Sequence, residues 1–92
     1  MIANFLHKGL REFYLTGKTT GVQANHQRKL QLILVRLEAI SKPEDMNLPG
    51  FDFHKLIGDM KGCYSVSVNK NWRVTFKFDE RNTYDVDYID YH

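Results

Sequence analysis

The 92-residue chain has one cysteine, two prolines and no long apolar run, and these shortages exclude several kinds of protein. Cys63 alone can form neither an internal disulfide nor a zinc site, which suits a reducing cytosol. The longest wholly apolar run, Leu32 to Val35, is far below the roughly 20 residues that cross a bilayer. Met1 to His7 has neither the basic start nor the apolar stretch of a signal peptide, so the expected setting is cytoplasmic, with no membrane partner. No H-E-x-x-H, C-x-x-C or EF-hand-like loop occurs. His54, Asp90 and His92 carry atoms that bind zinc, but their spacing does not favour it. The glycine-rich loops of nucleotide-dependent enzymes are also missing. No metal or cofactor is therefore expected.

The hydrophobic share of 42% and charged share of 26% belong to a globular protein, and with no repeat or low-complexity stretch they predict one domain over residues 1–92. Charge is unevenly spread. Up to Lys42 there are seven basic residues against two acidic ones; beyond it there are six against nine. A basic first half, with Lys8, Arg11, Arg28, Lys29 and Arg36, suits an anionic partner such as RNA. The plainer reading is a solvated helix face.

Hydrophobic spacing divides the chain near Gly50. His7 to Leu15 reads as a helix stopped by Thr16-Gly17, and Ala24 to Ile40 as a longer one with a stripe of Leu30, Ile33, Leu34, Leu37 and Ile40. Pro43 ends it. After Gly50 the period becomes 2. Tyr64 to Val68, Trp72 to Phe78 and Tyr84 to Tyr88 form an antiparallel meander. Phe51 to Leu56 supplies a fourth strand, and Met1 to Phe5 is able to start another. The predicted class is α+β: two N-terminal helices packed on a four- to five-stranded, mainly antiparallel sheet. Even-numbered aromatics, Tyr84 included, face the helices. Ser65, Ser67, Arg73, Thr75 and Lys77 form the other face, which is polar and need not be covered.

RNA cleavage without a metal needs a base for the 2′-hydroxyl, an acid for the leaving 5′-oxygen and a cation for the phosphate. Histidine suits either proton role and arginine the third. His54 on a strand, Arg73 on the polar face and the terminal Asp90-Tyr91-His92 supply these types, although a histidine taken alone is more often structural.

Several stretches resemble the HigB-type toxins of the RelE/ParE superfamily. They are His7-Lys8-Gly9-Leu10, Thr16-Gly17 with Gly21, Pro43 to Gly50, Leu56 to Gly62, Tyr64 to Val68, Asn71-Trp72-Arg73-Val74-Thr75-Phe76 and Asp85 to His92. The resemblance spans essentially the whole chain, and its specific parts are the Asn-Trp-Arg strand and the Asp-Tyr-His ending. It implies a RelE-like, microbial-RNase-like fold and a toxin that cuts translated mRNA in the ribosomal A site. It also implies a HigA-type helix-turn-helix antitoxin, through which operator DNA is bound and the operon repressed. The site residues it implies are His54, Arg73, Asp90, Tyr91 and His92. Contacts to RNA and ribosome would come from Lys8, Arg11, Arg28, Lys29, Arg36, Lys55, Lys61 and Lys77. Where the resemblance implies a phosphate-binding lysine, this chain has Ile57. Lys55, two residues earlier, lies on the same side of an extended strand. Two rivals keep the fold without the chemistry: a ParE-like inhibitor of DNA gyrase, and a degenerate partner that only binds antitoxin.

Overall fold

The computed structural model describes residues 1–90. Helix α1 spans Lys8–Thr16 and α2 spans Gln27–Ala39. Strands β1 (His54–Lys55), β2 (Tyr64–Ser67), β3 (Trp72–Asp79) and β4 (Asn82–Asp90) form one antiparallel sheet in sequence order. No helix among the described residues is long and apolar enough to cross a membrane.

His7 starts α1, its Nδ1 accepting a hydrogen bond from the Leu10 amide at 3.0 Å. Gly17 stops it in the left-handed conformation, φ 79°. The predicted second helix begins late, because Ala24–His26 is a 3₁₀ turn. The α2 stripe is as read: Leu30, Ile33, Leu34 and Leu37 are buried against Val66, Val74, Phe76 and Val86 of the sheet in one core. Burial of such a side chain contributes about 1.5–3 kcal/mol. Gly9 and Gly21 cross so closely that a Cβ on either would lie 2.4–2.6 Å from the other's backbone, so neither tolerates a side chain without a backbone shift.

Four features differ from what the sequence suggests. Met1 to Phe5 does not add a full strand; it makes two isolated parallel bridges to β4, Ile2 to Thr83 and Phe5 to Val86. The strand expected over Phe51 to Leu56 shrinks to His54–Lys55, because Asp52 takes a positive φ of 47° and breaks the extended run. The polar face is partly covered: Ser65 and Thr75 are buried. Tyr84 leaves the helix-facing side. The β3–β4 register shifts between Thr75 and Lys77, where Asp85 has φ 52°, so Tyr84 pairs with Lys77 on the opposite face. One extra residue in β4 reverses the alternation beyond it, and Thr83 enters the core instead.

A polar cluster around buried His26 and Tyr88 closes one end of the sheet. Asn69 Oδ1 accepts from the amides of Asn71 and Trp72, at 3.0 and 2.9 Å, which turns its Nδ2 toward His26 Nε2 at 2.7 Å. Nε2 therefore accepts, and the ring proton sits on Nδ1, facing the Tyr88 hydroxyl at 2.5 Å. A second ring proton would set two donors face to face. Burial pushes the His26 pKa below the ordinary histidine range. The unfolded chain takes up a proton near pH 6.5 and the folded chain only at lower pH. The stability held above that pH is thus lost progressively as pH falls toward the folded pKa. Urea unfolding of the wild type should show a lower midpoint at pH 5 than at pH 7, with a smaller difference for His26→Gln. Equal differences in the two proteins would acquit His26.

Candidate active site

The site grows from a turn. Phe51 is buried, and its carbonyl accepts from the Ser67 amide at 2.7 Å. Lys29 reaches over from α2, its Nζ 4.7 Å from the centre of the Phe51 ring and donating to the Gly50 carbonyl at 2.7 Å. Lys29, expected to meet RNA, thus clamps the turn that precedes β1. Held in this way, Asp52 projects toward the open sheet face between His54 and Arg73.

Arg73 is fixed on three sides. Its Nε donates to Ser65 Oγ at 3.0 Å, Nη1 to the Asp52 carboxylate at 3.2 Å, and Nη2 to the Asp52 carbonyl at 2.6 Å. Its side chain is only 13% exposed, yet one hydrogen on each terminal nitrogen is left for an incoming anion. His54 is exposed, and its Nε2 lies 3.1 Å from the other Asp52 oxygen. An ionised carboxylate only accepts, so Nε2 carries the proton and the neutral ring offers the Nδ1 lone pair as a base. Hydrogen bonding from Arg73 holds the Asp52 carboxyl below the usual carboxylate range against an opposing effect of burial, with smaller help from the charge of Arg73 and the hydrogen bond from His54. Asp52 is therefore an anionic brace that orients the histidine and the arginine together.

These groups border an open groove of about 500 Å³. His54, Arg73 and Ser65 lie on the sheet; Lys55, Leu56, Ile57, Asp59 and Met60 form the other wall. A phosphodiester laid here would meet a base and a cation at once.

The expected site residues separate into three sets. His54 and Arg73 come together, with Lys55 beside them. Asp90 ends β4 opposite Trp72, the neighbour of Arg73 in β3. Tyr91 and His92 lie outside the described residues. Among the expected RNA contacts, Lys8 and Arg11 are exposed on α1, Arg28 and Arg36 on α2, and Lys61 just after the 3₁₀ turn Gly58–Met60. Lys77 pairs with Asp85 at 3.8 Å on the far part of β3. The residue that sequence reasoning missed is Asp52, and its only signal was the short Asp52-x-His54 spacing. Among the described residues, no group of three or more His, Cys, Asp or Glu side chains is arranged to hold a metal ion.

A helix-backed antiparallel sheet with this groove on its open face has the RelE-like toxin fold. The YoeB–YefM complex from Staphylococcus aureus aligns with a TM-score of 0.59 at 14% identity, over 100% of this chain and 98% of that one. YafQ from Escherichia coli BL21(DE3) aligns with a TM-score of 0.54 at 16% identity, over 95% and 89%. In sequence, residues 3–92 match the family of RelE-like HigB toxins of type II toxin–antitoxin systems. Endoribonuclease HigB of Proteus vulgaris is 35% identical over 92 residues, the full length of both chains. The chain belongs to the HigB family of RelE-like toxins. As a type II toxin, it has an antitoxin as its partner.

Proposed function

We propose that this endoribonuclease toxin cuts mRNA in the ribosomal A site while it is being translated, without a metal. The observation that carries the reading is the shared carboxylate: Asp52 holds His54 and Arg73 at 3.1 and 3.2 Å beside one open groove. His54 Nδ1 takes the proton of a 2′-hydroxyl. The 2′-oxygen attacks phosphorus and the bond to the 5′-oxygen breaks, giving a 2′,3′-cyclic phosphate. Arg73 stabilises the charge on the phosphate oxygens, and the leaving 5′-oxygen takes its proton from His92 as the acid, with Asp90 and Tyr91 assisting. The ribosome supplies the in-line geometry that so few groups cannot impose alone, and such positioning is worth several kcal/mol. Exposed Lys8, Arg11, Arg28 and Arg36 would meet ribosomal RNA, while Lys55 and Lys61 would meet the message. The antitoxin is of the HigA helix-turn-helix type, and its complex with the toxin represses their operon.

The test incubates pure protein with mRNA, with and without translating ribosomes. Clear cutting on ribosomes and little cutting of naked RNA is the expected result. Equal cutting of both would end the ribosome-dependent reading, and blocked supercoiling with intact mRNA would favour an inhibitor of gyrase.

A further inference from the structure

Ile57 is 86% exposed, more than any other large apolar side chain among the described residues. Its position is not a consequence of loose chain. Strand pairing of β1 with β2 continues through the Leu56 amide, which donates to the Cys63 carbonyl at 2.9 Å. Inside that ring the Lys61 amide bonds the Gly58 carbonyl and the Cys63 amide bonds the Met60 carbonyl, both at 3.0 Å. Gly58 makes the turn possible with φ 71°. The backbone is therefore bonded so as to hold Ile57 out in water, at the lip of the groove that holds His54 and Arg73. Leu56 and Met60, both half-buried, continue the same wall behind it.

We propose that Ile57 is a specificity residue whose side chain packs on the face of an unstacked nucleobase when RNA lies in the His54–Arg73 groove. This rests on the reading that the groove takes RNA. An isoleucine makes no useful contact with a phosphate, whereas every base offers a flat apolar face. The cations that hold the backbone are already present in Arg73 and Lys55, and they read no sequence. An apolar wall beside them gives the groove a contact that depends on which base is presented and how readily it unstacks. Ile57 is thus a determinant of where the message is cut.

Methyl NMR tests this without requiring cleavage. The chain has five isoleucines, Ile2, Ile33, Ile40, Ile57 and Ile89, and buried Ile33 and Ile40 serve as internal references. The probe is a set of hexanucleotides with 2′-O-methyl sugars, which lack the nucleophilic hydroxyl, differing only in their bases. Binding should move the Ile57 δ1 methyl upfield through the ring current of the base, by an amount that differs among the four bases. Ile57→Ala should weaken binding roughly fivefold or more for the preferred base. It should also flatten the distribution of cut sites on translated mRNA. Ile57→Lys should bind with steeper salt dependence, having added one phosphate contact. An Ile57 methyl that stays in place, whether or not other resonances move, would overturn the proposal. An Ile57 shift in a protein that cuts no translated mRNA would instead overturn the assigned activity alone.

Discussion

Arg73→Ala is expected to slow single-turnover cleavage on programmed ribosomes by about 10²–10³-fold, the usual loss when one preorganised donor to a developing charge is removed. The argument starts from how tightly the guanidinium is placed. Ser65 Oγ, the Asp52 carboxylate and the Asp52 carbonyl hold it before any substrate arrives, so it needs no rearrangement when charge builds on phosphate. Removing it also frees Asp52, whose carboxyl then returns toward its ordinary range, and so loosens His54. Arg73→Lys keeps the charge but cannot span Ser65 and Asp52 together, so it should restore only part of the loss. A wild-type rate for folded Arg73→Ala would reduce Arg73 to a strut beneath the Asp52 turn.

Loss of either proton-transfer group should be as severe. His54→Asn removes the Nδ1 lone pair assigned as the base, and deletion of His92 removes the assigned acid; each is expected to cost about 10²–10⁴-fold. His54 is exposed and bonded only through Asp52 among the described residues, so the substitution should leave the unfolding midpoint nearly unchanged. Removing both groups together should slow the reaction by much less than the product of the single losses, because base and acid act on one step. A pH profile separates the roles. Loss of the base should remove the rise in rate at low pH, and loss of the acid should remove the fall at high pH. Wild-type rates for both single variants would take histidine out of the mechanism.

How far these residues could be read from sequence differs from one to the next. The α2 stripe was plain, because four positions at helical spacing all reach one core. The hairpin joining β2 and β3 was equally plain from period-2 alternation on both sides of Asn69-Lys70-Asn71. Tyr84 was misplaced for a definite reason: alternation is counted along one strand, and the extra residue at Asp85 is visible only against the partner strand. His54 and Arg73 were legible as chemical types on a polar face. Their link was not, because Asp52 reaches Arg73 across 21 positions through a turn set by Lys29 and Phe51, which local patterns do not encode. His26 was likewise invisible, since both its hydrogen-bond partners lie more than 40 positions away.

The first residues of the chain are tied to β4 by four backbone hydrogen bonds, among them Ala3 to Thr83 at 2.7 Å and Leu6 to Val86 at 2.8 Å. That connection governs when folding can finish. A nascent chain emerging in sequence order makes α1 and α2 early, but the core they share with the sheet stays incomplete without Thr83, Val86 and Tyr88, and Ile2 and Phe5 have nothing to pair with until the same strand appears. Contacts of such long sequence separation close late and slowly. A growing polypeptide thus remains without a complete core until β4 has been made.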